Sequence, residues 1–224
     1  MNNKPKIFIF ASGSAEGGGS GAEKVIEASN NGILDADIIG IASNYEHGGV
    51  RERADRLKVP FICFPKPWDA ASYQRIAEAS SADLVALSGW LKLVVGLDSA
   101  TRFNSKTVIN IHPGPLPEFG GPGLYGHHVH EAVMAAFKRG EVTHSAVSMH
   151  FVTSEYDRGP IFFKLMVKIN DDDTPETLAQ RVNQQEHLHQ ARITNLVANG
   201  SIRWNGKDPE SLEAPSGYSV VQYA

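Results

Sequence analysis

A single cysteine, Cys63, stands among the 224 residues, so an internal disulfide framework is ruled out and a reducing compartment suits the chain. It follows Pro60-Phe61-Ile62 and precedes Phe64, a setting that predicts a buried strand thiol and not a nucleophile. Long apolar runs are missing too. The stretch Ile7 to Ala11 is too brief for a signal-peptide core, and no later stretch approaches the length of a membrane span. Neither sign of charge dominates: 21 Lys and Arg against 25 Asp and Glu leave a formal net charge of −4, which gives no broad attraction to nucleic acid or anionic lipid. Internal repeats and low-complexity tracts do not occur, and 42% hydrophobic with 21% charged residues excludes disordered and fibrous architectures. The expectation is a cytoplasmic protein whose partners are small molecules, with no nucleic acid and no membrane, and with a homodimer left open as the assembly.

What is present is an alternation of strands and helices. Lys6 to Ala11 reads as a buried strand, followed by the Gly-rich Ser12 to Gly21 and a helical pattern through Ala22, Val25, Ile26 and Ala28. Asp37 to Ala42, Pro60 to Phe64, Asp83 to Leu87 and Thr107 to Ile111 are further strands, with helices around Val50 to Leu57 and Ala70 to Ala79 between them. The strand runs are continuously apolar, which implies burial on both faces and a mostly parallel twisted sheet with helices on both sides. After residue 140 the pattern changes. Ser145 to Val152 and Pro160 to Ile169 predict an antiparallel C-terminal extension, and a long helix should start near Asp173-Thr174-Pro175-Glu176, where a capping residue, an early Pro and an acidic first turn coincide. The expected organisation is one α/β domain over residues 1–200 and an ordered or semi-ordered tail over 201–224.

Three segments carry candidate chemistry. Asn110-Ile111-His112-Pro113 closes a strand, and residues one apart on an extended chain project to the same side, so an amide and an imidazole could hold an oxyanion together. A plain turn cap at Asn110 with a half-exposed His112 is the alternative. The segment Gly114 to Gly126 behind them is too rich in Pro and Gly for a helix interior, and such loops often carry function. Gly17-Gly18-Gly19-Ser20-Gly21 lies between the first strand and the first helix, where free amides and the positive helix end suit a phosphate. It is not a Walker A loop, since no Gly-Lys-Ser/Thr follows, and its consecutive glycines fit a dinucleotide fingerprint poorly. Tyr156-Asp157-Arg158-Gly159-Pro160 joins the two late strands. If the fold brings Asp157 beside His112, the carboxylate should raise the imidazole pKa and favour a protonated donor. The histidines at 127, 128 and 130 read as polar positions at a helix start, and no metal is expected.

On these motifs the sequence resembles the phosphoribosylglycinamide formyltransferases, from Ile7 to the long helix near residue 197. The match rests on Asn110-Ile111-His112-Pro113 and on Asp157 within its Gly-Pro loop. The resemblance implies a Rossmann-like formyltransferase fold and catalysis by Asn110, His112 and Asp157. The reaction it implies moves a formyl group from 10-formyltetrahydrofolate, the co-substrate, to the amine of 5-phosphoribosylglycinamide. It also assigns Gly19, Ser20 and Gly21 to the substrate phosphate, with Gly21 replacing a family Asn, and Glu186, with Asn183 nearby, to the ribose. Leu91, Lys92, Leu93 and Val94, together with Asn110, fall on the folate pocket, with Lys92 in place of a family Arg. A formyltetrahydrofolate hydrolase is the rival enzyme, disfavoured by the early start of the first strand. A methionyl-tRNA formyltransferase would need a basic surface and a further domain. A non-catalytic folate or nucleotide sensor is the rival of another class.

Overall fold

Strand β1, Lys6–Phe10, sends Ile7 and Ile9 to one face of the sheet and Phe8 and Phe10 to the other, and none of the four is more than 2% exposed. A strand apolar in both directions has to be covered twice. In the computed structural model, which describes residues 4–224, helices supply both covers. On one side lie α1 (Ser20–Asn30), α2 (Gly49–Leu57), α4 (His127–Lys138) and α5 (Pro175–Ala198), whose Val25, Val50, Val133 and Val182 join Ile7 and Ile9 in one core. On the other lies α3 (Ala70–Ser80), whose Tyr73 and Ile76 meet Phe8, Phe10, Phe64 and Trp90 in an aromatic core.

The remaining strands are β2 (Asp37–Ser43), β3 (Phe61–Cys63), β4 (Leu84–Ser88), β5 (Val108–His112), β6 (His144–Phe151), β7 (Ile161–Lys168) and β8 (Val221–Tyr223). Their order across the sheet is β3-β2-β1-β4-β5-β6-β7-β8. The first five are parallel, and β6 and β7 pair antiparallel as a hairpin on β5, as the sequence predicts. The chain runs outward from β1 through β2 to β3, then crosses back over α3 to place β4 on the other side of β1. The carboxyl ends of β1, β4 and β5 therefore border a crevice at the switch in strand order, the usual ligand position in such sheets.

One reading of the sequence is corrected here and another is given its detail. Cys63 is exposed, because β3 is a three-residue edge strand, and it is Phe64 that turns inward. The residues after 200 are ordered and pack against the domain: Ile202 and Trp204 are buried in the larger core, the Tyr218 hydroxyl donates to the Phe162 carbonyl at 2.8 Å, and only β8 joins the sheet, parallel to β7. A three-residue strand among turns has too little periodicity to be read ahead of its partner.

Candidate active site

The glycine loop after β1 is held open by its surroundings. Gly18 and Gly19 have φ of 98° and 82°, a region that strains any side chain, and Gly19 stands at the start of α1 with no side chain capping the helix. The first amides of α1 are left without a side-chain partner, and the helix dipole adds positive potential there. Arg53 pins the loop by donating to the Gly18 carbonyl at 3.1 Å and to Glu23 of α1 at 2.7 Å. Gly19, Ser20 and Gly21 line one end of a cavity of about 370 Å³, with Asn183, Glu186 and Gln190 of α5 as its neighbouring wall.

Burial pushes the Glu186 carboxyl up to about 7, a shift only partly offset by the Asn183 amide, which donates to it at 3.3 Å. The sign of the consequence follows from linkage. A carboxyl whose folded pKa lies above its unfolded value binds its proton more tightly when folded, so its contribution to stability falls as pH rises through that interval. Glu186→Gln is therefore expected to raise the melting temperature above about pH 7.5 and to lose most of that gain at about pH 5. Thermal melts at both pH values check this. A gain equal at the two would reject a raised pKa.

At the other end stands the constellation around Asp157. Asn110 and His112 lie on β5, and both line the cavity. The β5–β6 register sets Asn110 opposite His150, and the loop between β6 and β7 swings Asp157 over them. The Asn110 amide nitrogen donates to Asp157 Oδ1 at 3.3 Å and lies 3.1 Å from His150 Nε2, which is itself 3.3 Å from Asp157 Oδ1. The Gly121 N–H donates to Asp157 Oδ2 at 3.0 Å. Asp157 is a non-glycine residue with φ of 53°, a strained conformation that the packing around it must enforce. Burial pushes its carboxyl up, but the bond to His150, the nearby His112 ring and the Gly121 amide outweigh that and hold it below the usual range.

The histidine at the centre departs from expectation. His112 Nδ1 is 3.8 Å from Asp157 Oδ2, too long for a direct hydrogen bond, while Nε2–H donates to the Phe119 carbonyl at 2.7 Å. Desolvation of this 4% exposed ring lowers its pKa by more than Asp157 and Phe119 raise it. The sequence reading held that a carboxylate brought beside the ring would favour a protonated donor. In the fold burial outweighs the carboxylate, so the His112 pKa falls below the usual imidazole value, a shift that favours the neutral ring with Nε2–H on Phe119 and Nδ1 toward Asp157.

The Leu91–Val94 segment is positioned by the aromatic core. Trp90 Nε1 donates to the Tyr73 hydroxyl at 2.9 Å, that hydroxyl donates to the Leu93 carbonyl at 3.1 Å, and the Leu91 N–H donates to Ser12 Oγ at 2.9 Å. Leu91, Lys92, Leu93 and Val94 all line the cavity, and Lys92 Nζ lies 4.7 Å from the Trp68 ring centroid in a cation–π contact. Trp68 thus steadies a flexible cation in the place where the resemblance expects an Arg. The histidines of α4 are not uniform: His127 and His128 are exposed, but His130 is 5% exposed, lines the cavity and has an Nδ1 without a hydrogen-bond partner among the described residues. Among the described residues no group of three or more His, Cys, Asp and Glu is placed to hold a metal ion.

His150 escaped the sequence reading. It lies in the interior of an ordinary strand pattern, and only the pairing register shows that it faces Asn110. Gly121 escaped it too, because its contribution is a backbone amide.

A formyl transferase family model matches residues 5–194. The chloroplastic phosphoribosylglycinamide formyltransferase of Arabidopsis thaliana is 34% identical over 208 residues, which span 90% of this chain and 68% of that protein. The phosphoribosylglycinamide formyltransferase of Bacillus subtilis (strain 168) is 32% identical over 188 residues, 81% of this chain and 89% of its own length. A crystal structure of phosphoribosylglycinamide formyltransferase from Anaplasma phagocytophilum superposes with a TM-score of 0.79 at 24% identity, covering 99% of both chains, and so shares the fold. With the family match spanning both the glycine loop and the Asp157 loop, the chain belongs to the formyl transferase family.

Proposed function

We propose that this protein transfers the formyl group of 10-formyltetrahydrofolate to the primary amine of 5-phosphoribosylglycinamide, the reaction named in its relatives, as a step of purine synthesis. The observation that carries this reading is the gathering of Asn110, His112, His150 and Asp157 at one end of a cavity whose other end is the uncapped start of α1. The phosphorylated ribose would occupy the Gly19-Ser20-Gly21 end beside Glu186, and the folate the wall formed by Leu91 to Val94. Within residues 1–200 the phosphate loop then comes from the N-terminal half and the catalytic residues from the C-terminal half, while the ribose and folate contacts draw on Glu186 and on Leu91 to Val94. The proposed compartment is the cytoplasm. Among the described residues no helix is long and apolar enough to cross a membrane.

In this reading the amine attacks the formyl carbon, a C–N bond forms, and the carbonyl oxygen becomes anionic. Asn110 turns an N–H from its long 3.3 Å contact with Asp157 toward that oxygen. One such donor is worth about 3–4 kcal/mol of barrier. The neutral His112 accepts the proton leaving the amine, Asp157 stabilises the imidazolium, and the proton passes to the folate nitrogen as its bond to the formyl carbon breaks. A neutral resting imidazole suits this order better than the protonated donor that the sequence suggested. Holding both substrates in register supplies the remainder, and no covalent enzyme intermediate is required.

The test is an absorbance assay of folate product with purified substrates, run with and without glycinamide ribotide. Product that forms only with the ribotide is expected. Equal product without it would make the protein a hydrolase, and no product in either case would leave a binding protein.

A further inference from the structure

One polar pair in the cavity has no part in the chemistry above. Gln190 of α5 is 2% exposed, and its Oε1 accepts a hydrogen bond from the Ser88 hydroxyl at 3.2 Å across 102 positions of sequence. Ser88 is the last residue of β4 and is itself 4% exposed. Both side chains lie against Gly21, the second residue of α1. A Cβ on Gly21 would stand 2.7 Å from Ser88 Oγ and 3.2 Å from Gln190 Oε1. The missing side chain of Gly21 is thus the room in which the pair sits, and the pair closes the cavity directly beneath the uncapped amides of α1.

Such a pair has a definite polarity. The Ser88 hydroxyl occupies Oε1, which orients the carboxamide; Gln190 lines the cavity, and its Nε2 has no hydrogen bond to any described residue. An NH2 group without a protein partner at a cavity wall is free to donate to a ligand. It is a neutral donor placed next to backbone donors, which together suit an acceptor-rich anion and have nothing to offer a cation.

We propose that Gln190, aimed by Ser88 and admitted by Gly21, is a binding residue that donates from Nε2 to the phosphate of a phosphorylated ribose. It determines the selectivity of this chain for a phosphomonoester over the free sugar. The inference rests on the reading that the α1 end of the cavity takes the phosphorylated substrate. Gln190 acts on binding and not on formyl transfer, so its loss should appear in the KM for the ribotide while kcat and the folate KM hold.

The experiment titrates ribose 5-phosphate and ribose into the wild type, Gln190→Ala, Gln190→Glu and Ser88→Ala by calorimetry, with thermal melts of each variant and steady-state kinetics in parallel. Wild type should bind the phosphate ester and not ribose. Gln190→Ala should weaken ribose 5-phosphate by about tenfold or more, since a hydrogen bond to a charged group is lost. Gln190→Glu should weaken it further, because a carboxylate would face the phosphate, and Ser88→Ala should give a smaller loss through disorder of the carboxamide. Affinity unchanged in Gln190→Ala and Gln190→Glu overturns the assignment, as does an equal rise in the ribotide and folate KM values. Should the Gln190 variants fail to fold, Ser88→Ala decides alone: wild-type affinity for ribose 5-phosphate would reject the aimed donor. Phosphate-ester binding that depends on Gln190 in a protein without transferase activity would sustain this inference and sink the proposed reaction. Full transferase activity with wild-type affinity in the Gln190 variants would do the reverse.

Discussion

Asp157→Asn should keep the fold and lower kcat by about three orders of magnitude, with both KM values nearly unchanged. The substitution is isosteric, so the Gly121 N–H keeps an acceptor at the Oδ2 position, and the left-handed φ of 53° is one that Asn tolerates well. What disappears is the charge. Without it, only the Phe119 carbonyl offsets the desolvation that already lowers the pKa of His112, and an imidazolium formed at that site loses the carboxylate that faces it. Asn110 would also face an amide in place of a carboxylate at 3.3 Å, and His150 could meet an NH2 group where it now meets an oxygen. Steady-state kinetics with purified substrates, alongside a thermal melt, read the outcome. A kcat within threefold of wild type would remove Asp157 from the proton path.

The second large effect belongs to a residue that touches no substrate. Gly159→Ala should cost about 3 kcal/mol or more and abolish turnover even in the molecules that remain folded. A Cβ at Gly159 would stand 1.7 Å from the Phe151 carbonyl oxygen and 2.8 Å from its carbon, and both are backbone atoms of β6 that cannot swing away. Phe151 is wholly buried, stacked edge-on against Phe162 at 5.0 Å, and its N–H is bonded to the Pro160 carbonyl, so the strand end has no slack. The loop must therefore move, and Asp157 lies two residues away on it. For a chain of this length the loss corresponds to a fall in melting temperature of roughly 6–12 °C. A melt within 2 °C of wild type with normal turnover would show that the loop absorbs the methyl group.

Much of this molecule could be read in advance, and the reason is local. Continuous apolar strands such as Lys6–Phe10 and Leu84–Ser88 report burial on both faces. The Pro and the acidic first turn after Thr174 mark the start of α5, where Thr174 and Thr177 form a reciprocal cap. Each signal depends on near neighbours in the chain, where periodicity and capping operate. The Asn110 and His112 pair was visible for the same reason, since alternation on one strand fixes their common side.

Other features were decided only when distant segments met. The register of β5 on β6 brings His150 to Asn110, and the turn after β6 carries Asp157 across 47 positions to the same point. Whether His112 rests charged or neutral depended on how deeply the fold buries it, a balance between desolvation and a carboxylate 3.8 Å away that the order of residues does not contain. The exposure of Cys63 followed from β3 falling at the edge of the sheet, and the place of β8 from the free edge offered by β7. The amino-acid sequence alone determined the strands, the helices and the presence of an amide, an imidazole and a carboxylate capable of acyl chemistry, because hydrophobic periodicity and capping are short-range. Tertiary structure alone decided distances, protonation and which backbone amides and side chains meet a ligand, because Coulomb and desolvation energies depend on separation in space and not along the chain.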